Sequence, residues 1–265
     1  MGKFGLKFAV YTVSVYAALF SVSALSSVKS EKPLLEDFGP ATELVSNEGK
    51  SAFLGRAYDP LTGDLLYIER YQVTFDERGA HRNSLVEYIN PDGTPFAVKQ
   101  VRYDGVATAP SITFKDYRDN NEIRVESGLS RTTVAIRENG ETNVSLIAAP
   151  VDMSMVIDAG FDQFLQQNWD RLQNKDPVPF AFLAMARRSW INFSVEMIAA
   201  TDEQVQFTIA PQNFFIRLLV DPINLTYDAT TRRLLRFEGI TPIEKSQSGQ
   251  AASGNIVARI EYEYF

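Results

Sequence analysis

The sequence predicts an α+β fold that is mostly β: one large curved antiparallel sheet, an open or half barrel, wrapped around one main helix. Three observations predict it. Apolar residues alternate with polar ones at a period of two along much of the chain. Turn signals built on Pro, Gly, Asn and Asp separate these stretches at short spacing. A single long stretch, residues 158–175, carries helical spacing instead. About a dozen strands served by one helix cannot form a parallel sheet, which needs a crossover between neighbouring strands.

The elements follow in chain order. Tyr58-Asp-Pro-Leu-Thr-Gly63 is a turn, with Pro60 and Gly63 supplying the dihedrals it needs, and it feeds a strand over 64–75. A second strand, 83–89, meets Asn90-Pro-Asp-Gly93, a strong hairpin signal, and the chain returns over 94–103. Further strands are expected at 111–116, 121–127, 131–137 and 142–148, with Asn139-Gly140 turning the last of them. The helix follows at 158–175, where Phe161, Leu165, Asn168 or Trp169, and Leu172 recur at helical spacing beside Phe164. Asp158 is placed to cap its first turn, Asp162 suits its dipole, and Asp176-Pro177 ends it. Beyond it, Ile191, Phe193, Val195 and Met197 alternate with Asn192, Ser194 and Glu196, and Val205, Phe207 and Ile209 continue the pattern. Residues 213–220 fit a short helix or a buried strand equally. Strands at 222–228 and 232–238, a Gly/Ser/Gln-rich loop at 245–255 and a last strand at 256–264 complete the domain.

The amino terminus reads as an export signal. Lys3 and Lys7 precede an apolar run over 8–25, and small residues follow around Ala24 and Ser26. Residues 1–27 are therefore expected to be a cleaved signal peptide, 28–50 a polar mobile leader and 51–265 a single half-barrel domain. An inner-membrane anchor through residues 8–25 is the alternative, because the run is close to a spanning length. Cleavage takes away two bases and no acid, so the formal charge falls from −7 to −9.

The composition excludes much chemistry. The chain has 265 residues, no Cys and one His. Disulfides, thiolate nucleophiles, Cys-ligated zinc and a multi-His metal site are excluded. A net negative charge argues against a nucleic-acid partner. An exported chain without disulfides fits a bacterial periplasm; the Asn-x-Ser/Thr triplets at Asn143, Asn192 and Asn224 keep an extracellular eukaryotic setting open.

Tyr58-Asp-Pro-Leu-Thr-Gly-Asp-Leu-Leu-Tyr-Ile-Glu69 and Tyr227-Asp-Ala-Thr-Thr-Arg-Arg-Leu-Leu-Arg-Phe-Glu238 share six residues at equal offsets. Two hairpins using one turn chemistry explain this without a duplicated half-barrel.

Asp158-Ala-Gly-Phe-Asp162, Asn168-Trp-Asp170, Leu218-Leu-Val-Asp-Pro-Ile223 running into Leu225-Thr-Tyr-Asp228, and Arg233-Leu-Leu-Arg236 resemble an uncharacterised family of exported proteobacterial proteins. The resemblance spans most of 51–264 and implies export and a common fold. In architecture the pattern is also similar to periplasmic open-barrel lipoprotein-carrier proteins, which hold acyl chains. No sequence motif links the chain to them, so that step is an analogy from fold to function.

Candidate chemistry is sparse. His81, in Arg78-Gly-Ala-His-Arg82, is expected in a solvated loop, and the chain has no Gly-x-Ser-x-Gly elbow. Asp116, Asp119 and Glu122 form an acidic turn without the pattern of a calcium loop. No Gly-rich phosphate cradle is present, so no cofactor is expected. Asp158, Asp162 and Asp170 share the helix, and a carboxylate-pair hydrolase is one alternative they leave open. The aromatics are more suggestive. Phe161, Phe164, Trp169, Phe180, Phe182 and Trp190 crowd around the helix, and one helix leaves part of a wide half-barrel unfilled. The expectation is a non-enzymatic binding or carrier protein for an apolar, lipid-like ligand, with these aromatics around it and Arg188 and Arg233 at its head group. An envelope structural or interaction protein, working through its surface or a free strand edge, is the other alternative.

Overall fold

The computed structural model describes residues 50–138, 140–151, 153–214, 221–245 and 254–265. The expected signal peptide, the leader apart from Lys50, most of 213–220 and most of the 245–255 loop lie outside the described residues. The chain forms β1 (Lys50–Tyr58), β2 (Leu65–Phe75), β3 (His81–Ile89), β4 (Pro95–Arg102), β5 (Ser111–Asp116), β6 (Asn121–Glu126), β7 (Arg131–Glu138), β8 (Glu141–Ala148) and β9 (Met155–Val156). Two helices follow, α1 (Gly160–Gln167) and α2 (Trp169–Gln173). Then come β10 (Val178–Ala184), β11 (Ser189–Ala200), β12 (Gln204–Pro211), β13 (Ile223–Asp228), β14 (Leu234–Glu244) and β15 (Asn255–Tyr264).

All fifteen strands belong to one sheet, in the order β8 to β1 and then β15 down to β9. Strands consecutive in sequence are therefore neighbours in the sheet, except β8 and β9, which form its two edges, and β1 and β15 meet in its middle. Every ladder is antiparallel save the short β9–β10 pair, which is parallel. The expected curved antiparallel sheet is observed, with this one exception at its edge. Among the described residues it does not close by hydrogen bonds into a barrel. Side chains draw its two ends together instead: Val134 and Ile136 of β7 share a buried cluster with Leu183 of β10. The Trp190 indole Nε1 of β11 donates to the Ala148 carbonyl at the end of β8, 2.8 Å away.

Three strands were not foreseen, each for a readable reason. β1 carries Lys50, Gly55 and Arg56 and alternates weakly. β9 is two residues long. β10 is an almost unbroken apolar run, Val-Pro-Phe-Ala-Phe-Leu-Ala, that hides any period of two.

The single expected helix is two. Asn168 breaks it with φ −107°, and its side-chain amide donates to the Phe164 carbonyl at 2.8 Å, drawing off an acceptor at the end of α1. Asp158 is not a cap: Ala159 holds the N-cap position and no side chain bonds the first turn. Phe164, Leu165, Trp169 and Leu172 all point into the sheet and pack on Phe180, Phe193, Phe207 and Tyr227. Burying each such side chain contributes roughly 1.5–3 kcal/mol, which holds the helices to the concave face despite their shortness. Gly160 sets how close α1 sits. A Cβ built there would lie 2.1 Å from the Thr108 carbonyl oxygen.

The two echoed hairpins are alike in detail. Asp59 Oδ1 accepts from the amides of Leu61 and Thr62, and Asp228 Oδ1 accepts from those of Thr230 and Thr231. The register shifts just before Tyr58 in one pair and just before Tyr227 in the other.

Candidate functional site

The concave face encloses a cavity of about 660 Å³ between the sheet and α1. Liquid water takes about 30 Å³ per molecule, so a wet cavity of this size would hold about twenty. Alternation along the strands builds it. On β2, Glu69, Tyr71, Val73 and Phe75 face inward, and on β3 Ser84, Val86 and Tyr88 do. The opposite wall comes from β10 to β13 and is almost wholly apolar, with Phe182, Ile191, Ile209 and Leu225.

Polar groups collect on the β2–β4 wall and beside α1. Lys99 of β4 and Asp158 are both largely buried and pair at 2.7 Å, Nζ to Oδ1. Burial alone would push the lysine's pKa down. Asp158 outweighs burial, with help from Tyr88 and Glu69, so the ammonium stays charged well past its ordinary range. Asp158 adopts a left-handed backbone, φ 42°, uncommon outside glycine. That turn aims its carboxylate across the cavity at β4 rather than down onto the helix.

Glu69 is 3% exposed. Its Oε2 accepts from the hydroxyls of Tyr71 at 2.6 Å and Tyr262 at 3.4 Å. Burial raises its pKa more than the tyrosine bonds lower it. Gly55, opposite Glu69 on β1, makes room for this: a Cβ there would lie 2.9 Å from the Tyr262 ring and 3.1 Å from Glu69 Oε2. Asp162 accepts from the Tyr227 hydroxyl at 3.0 Å, and burial raises its pKa too.

His81 is not in a solvated loop but opens β3, half-buried at the cavity's edge. Its ring lies 4.3 Å from that of Tyr103, and Nε2 sits 2.7 Å from Ser84 Oγ. Burial lowers its pKa, so the imidazole is neutral at pH 7.

The residues singled out from the sequence divide. Phe161, Phe180, Phe182 and Arg233 line the cavity. Phe164 and Trp169 sit behind it in the core, the Phe164 ring 5.0 Å from that of Phe180. Trp190 is spent on the seam with β8, and Arg188 lies in a left-handed turn away from the cavity lining. Arg233 is at the rim with its guanidinium 5.1 Å from the Tyr264 ring centroid. Arg232 beside it covers Trp169 at 5.1 Å and reaches Asp170 at 3.6 Å.

The three helix acids do not act together. Asp158 serves Lys99, Asp162 serves Tyr227, and Asp170 is exposed. In the acidic turn, Asp116 clamps Arg118, and Glu122 holds Arg124 and Arg137. No cluster of metal-ligating side chains occurs among the described residues. Sequence reading missed Glu69, Lys99 and the tyrosines. Inward charges on otherwise apolar strand faces were the available signal: Glu69 and Lys99 each occupy a core-facing parity on their strands.

No family model matches the chain, and no curated protein matches it. Among solved structures it is similar to a beta-barrel-like protein of a domain of unknown function from Brucella abortus. The two share 10% identity over 82% of this chain and 97% of that one, with a TM-score of 0.40.

Proposed function

We propose that this chain is a non-enzymatic binding or carrier protein that holds an apolar, lipid-like ligand in the cavity of the half-barrel. The observation that carries the reading is an unfilled 660 Å³ space, mostly apolar, within the usual range for ligand sites. Export to a periplasm through residues 1–27 belongs to the same reading and rests on Lys3, Lys7 and the apolar run. No helix among the described residues is long and apolar enough to cross a membrane.

Native mass spectrometry of the protein, purified from an exporting bacterial host without detergent, tests it. Extra mass released on denaturation is expected, together with saturable binding of the neutral probe N-phenyl-1-naphthylamine. Ile191→Trp, which fills the apolar wall, should weaken probe binding. An apo mass with no saturable probe binding overturns the reading.

One observation favours a second reading, an interaction protein. β8 is an edge strand with Val144 and Leu146 exposed at 65% and 59%. Such an edge can accept a partner strand. A charged Val144→Lys variant that loses an envelope partner while keeping probe binding would support it.

A further inference from the structure

The cavity has a polar wall and an apolar wall, and the polar wall is unbalanced. Glu69, Asp158 and Asp162 face Lys99 there, three carboxyl groups against one ammonium, while Arg232 and Arg233 stand out at the exposed rim. Hydrogen bonding leaves acceptors over. Both tyrosine hydroxyls that reach Glu69 bond its Oε2, leaving Oε1 for a donor from elsewhere. Tyr88 beside it is wholly buried, so its hydroxyl is out of reach of a bound molecule. Lys99 lies 6.0 Å from its ring centroid and acts on it through charge and a side-chain hydrogen bond.

We infer that this wall takes the ammonium head of a long-chain amine, whose hydrocarbon lies along Phe182, Ile191 and Leu225 on the opposite wall. An ammonium brings three donors and the positive charge the wall lacks. Glu69 Oε1 accepts from it, and the ring of Tyr71 beside Glu69 adds cation–π attraction. An anionic head would meet Glu69 and Asp162 while Lys99, the only inner cation among the described residues, is already held by Asp158. A hydroxyl head brings one donor and no charge. The inference rests on the cavity holding an apolar molecule and adds the chemistry of its head.

The test is competition against bound N-phenyl-1-naphthylamine on the full chain at pH 7. The competitors are dodecylammonium, dodecanol and dodecanoate, each below its micellar concentration. Dodecylammonium should compete about tenfold or more better than dodecanol, with dodecanoate weakest. Glu69→Gln should erase the preference for the ammonium and leave dodecanol unchanged. Equal competition by all three, dodecanoate ranking first, or a preference surviving Glu69→Gln overturns the head-group inference while the cavity reading stands. Failure of the probe and all three competitors to bind overturns both.

Discussion

Replacing Asp158 by Asn removes one charge from the cavity wall and little else. Asn is among the few residues that tolerate the left-handed φ of 42° found there, so the backbone has no reason to move. What changes is Lys99, 6% exposed, whose ammonium loses the carboxylate 2.7 Å away. Breaking a buried ion pair from one side typically costs about 3–5 kcal/mol, because the remaining charge stays buried without compensation. For a domain of this size each kcal/mol shifts the melting temperature by about 2–4 °C, so Asp158→Asn should lower it by about 6–20 °C. Adding Lys99→Met removes the stranded charge and should restore most of the loss. Thermal and urea unfolding of the two variants beside the parent measure both steps. A loss below about 1 kcal/mol in the single variant, or no recovery in the double, would refute the claim that this pair is a dry, mutually dependent contact.

Other outcomes follow from the same geometry. Glu69 has its pKa raised by burial, so the native state holds its proton to higher pH than the unfolded chain does. Its contribution is fully present below the unfolded value of 4.5 and is lost as pH rises through the folded value. Stability of the parent relative to Glu69→Gln should therefore decline from about pH 4.5 upward. A difference that is flat with pH shows that Glu69 is not desolvated. Gly160→Ala forces a methyl against the Thr108 carbonyl and should cost about 3 kcal/mol or more, read as a fall in melting temperature with loss of probe binding. Trp190→Phe deletes the bond to Ala148 across the seam and should cost about 1 kcal/mol. Amide exchange should quicken in β8 while β1 to β4 stay protected; a uniform loss of protection would place the effect elsewhere.

The hairpin meanders were legible because their turns are punctuated. Asn90-Pro-Asp-Gly93 and the Asp59 and Asp228 turns carry their own hydrogen bonds, so local residues decide local shape. The helix was legible as a period but not as two pieces, because the break depends on one amide at Asn168 bonding backwards. Asp158 reads as a cap in sequence, since its competitor for the carboxylate, Lys99, is 59 residues away. The site was legible in its aromatic half only. Which aromatics border empty space is set by strand parity: Phe180 and Phe182 face it, while Trp190 is drawn to the far edge of the sheet. The polar half comes from strands brought together by the curl and has no motif in the linear chain.

The β1–β15 ladder ties the beginning of the described chain to its end, Phe53 opposite Tyr264, in the middle of the sheet. Every other ladder joins strands consecutive in sequence. Two arms, β1–β8 and β9–β15, can thus zip progressively from short loops, which close at low entropic cost. The join between them must wait until the last strand has emerged. Until then β1 is an open edge at the heart of the future sheet, and the cavity has only one wall. A chain truncated before β15 would keep most of its local pairings yet lose the enclosure, leaving two unjoined arms prone to pairing with other molecules.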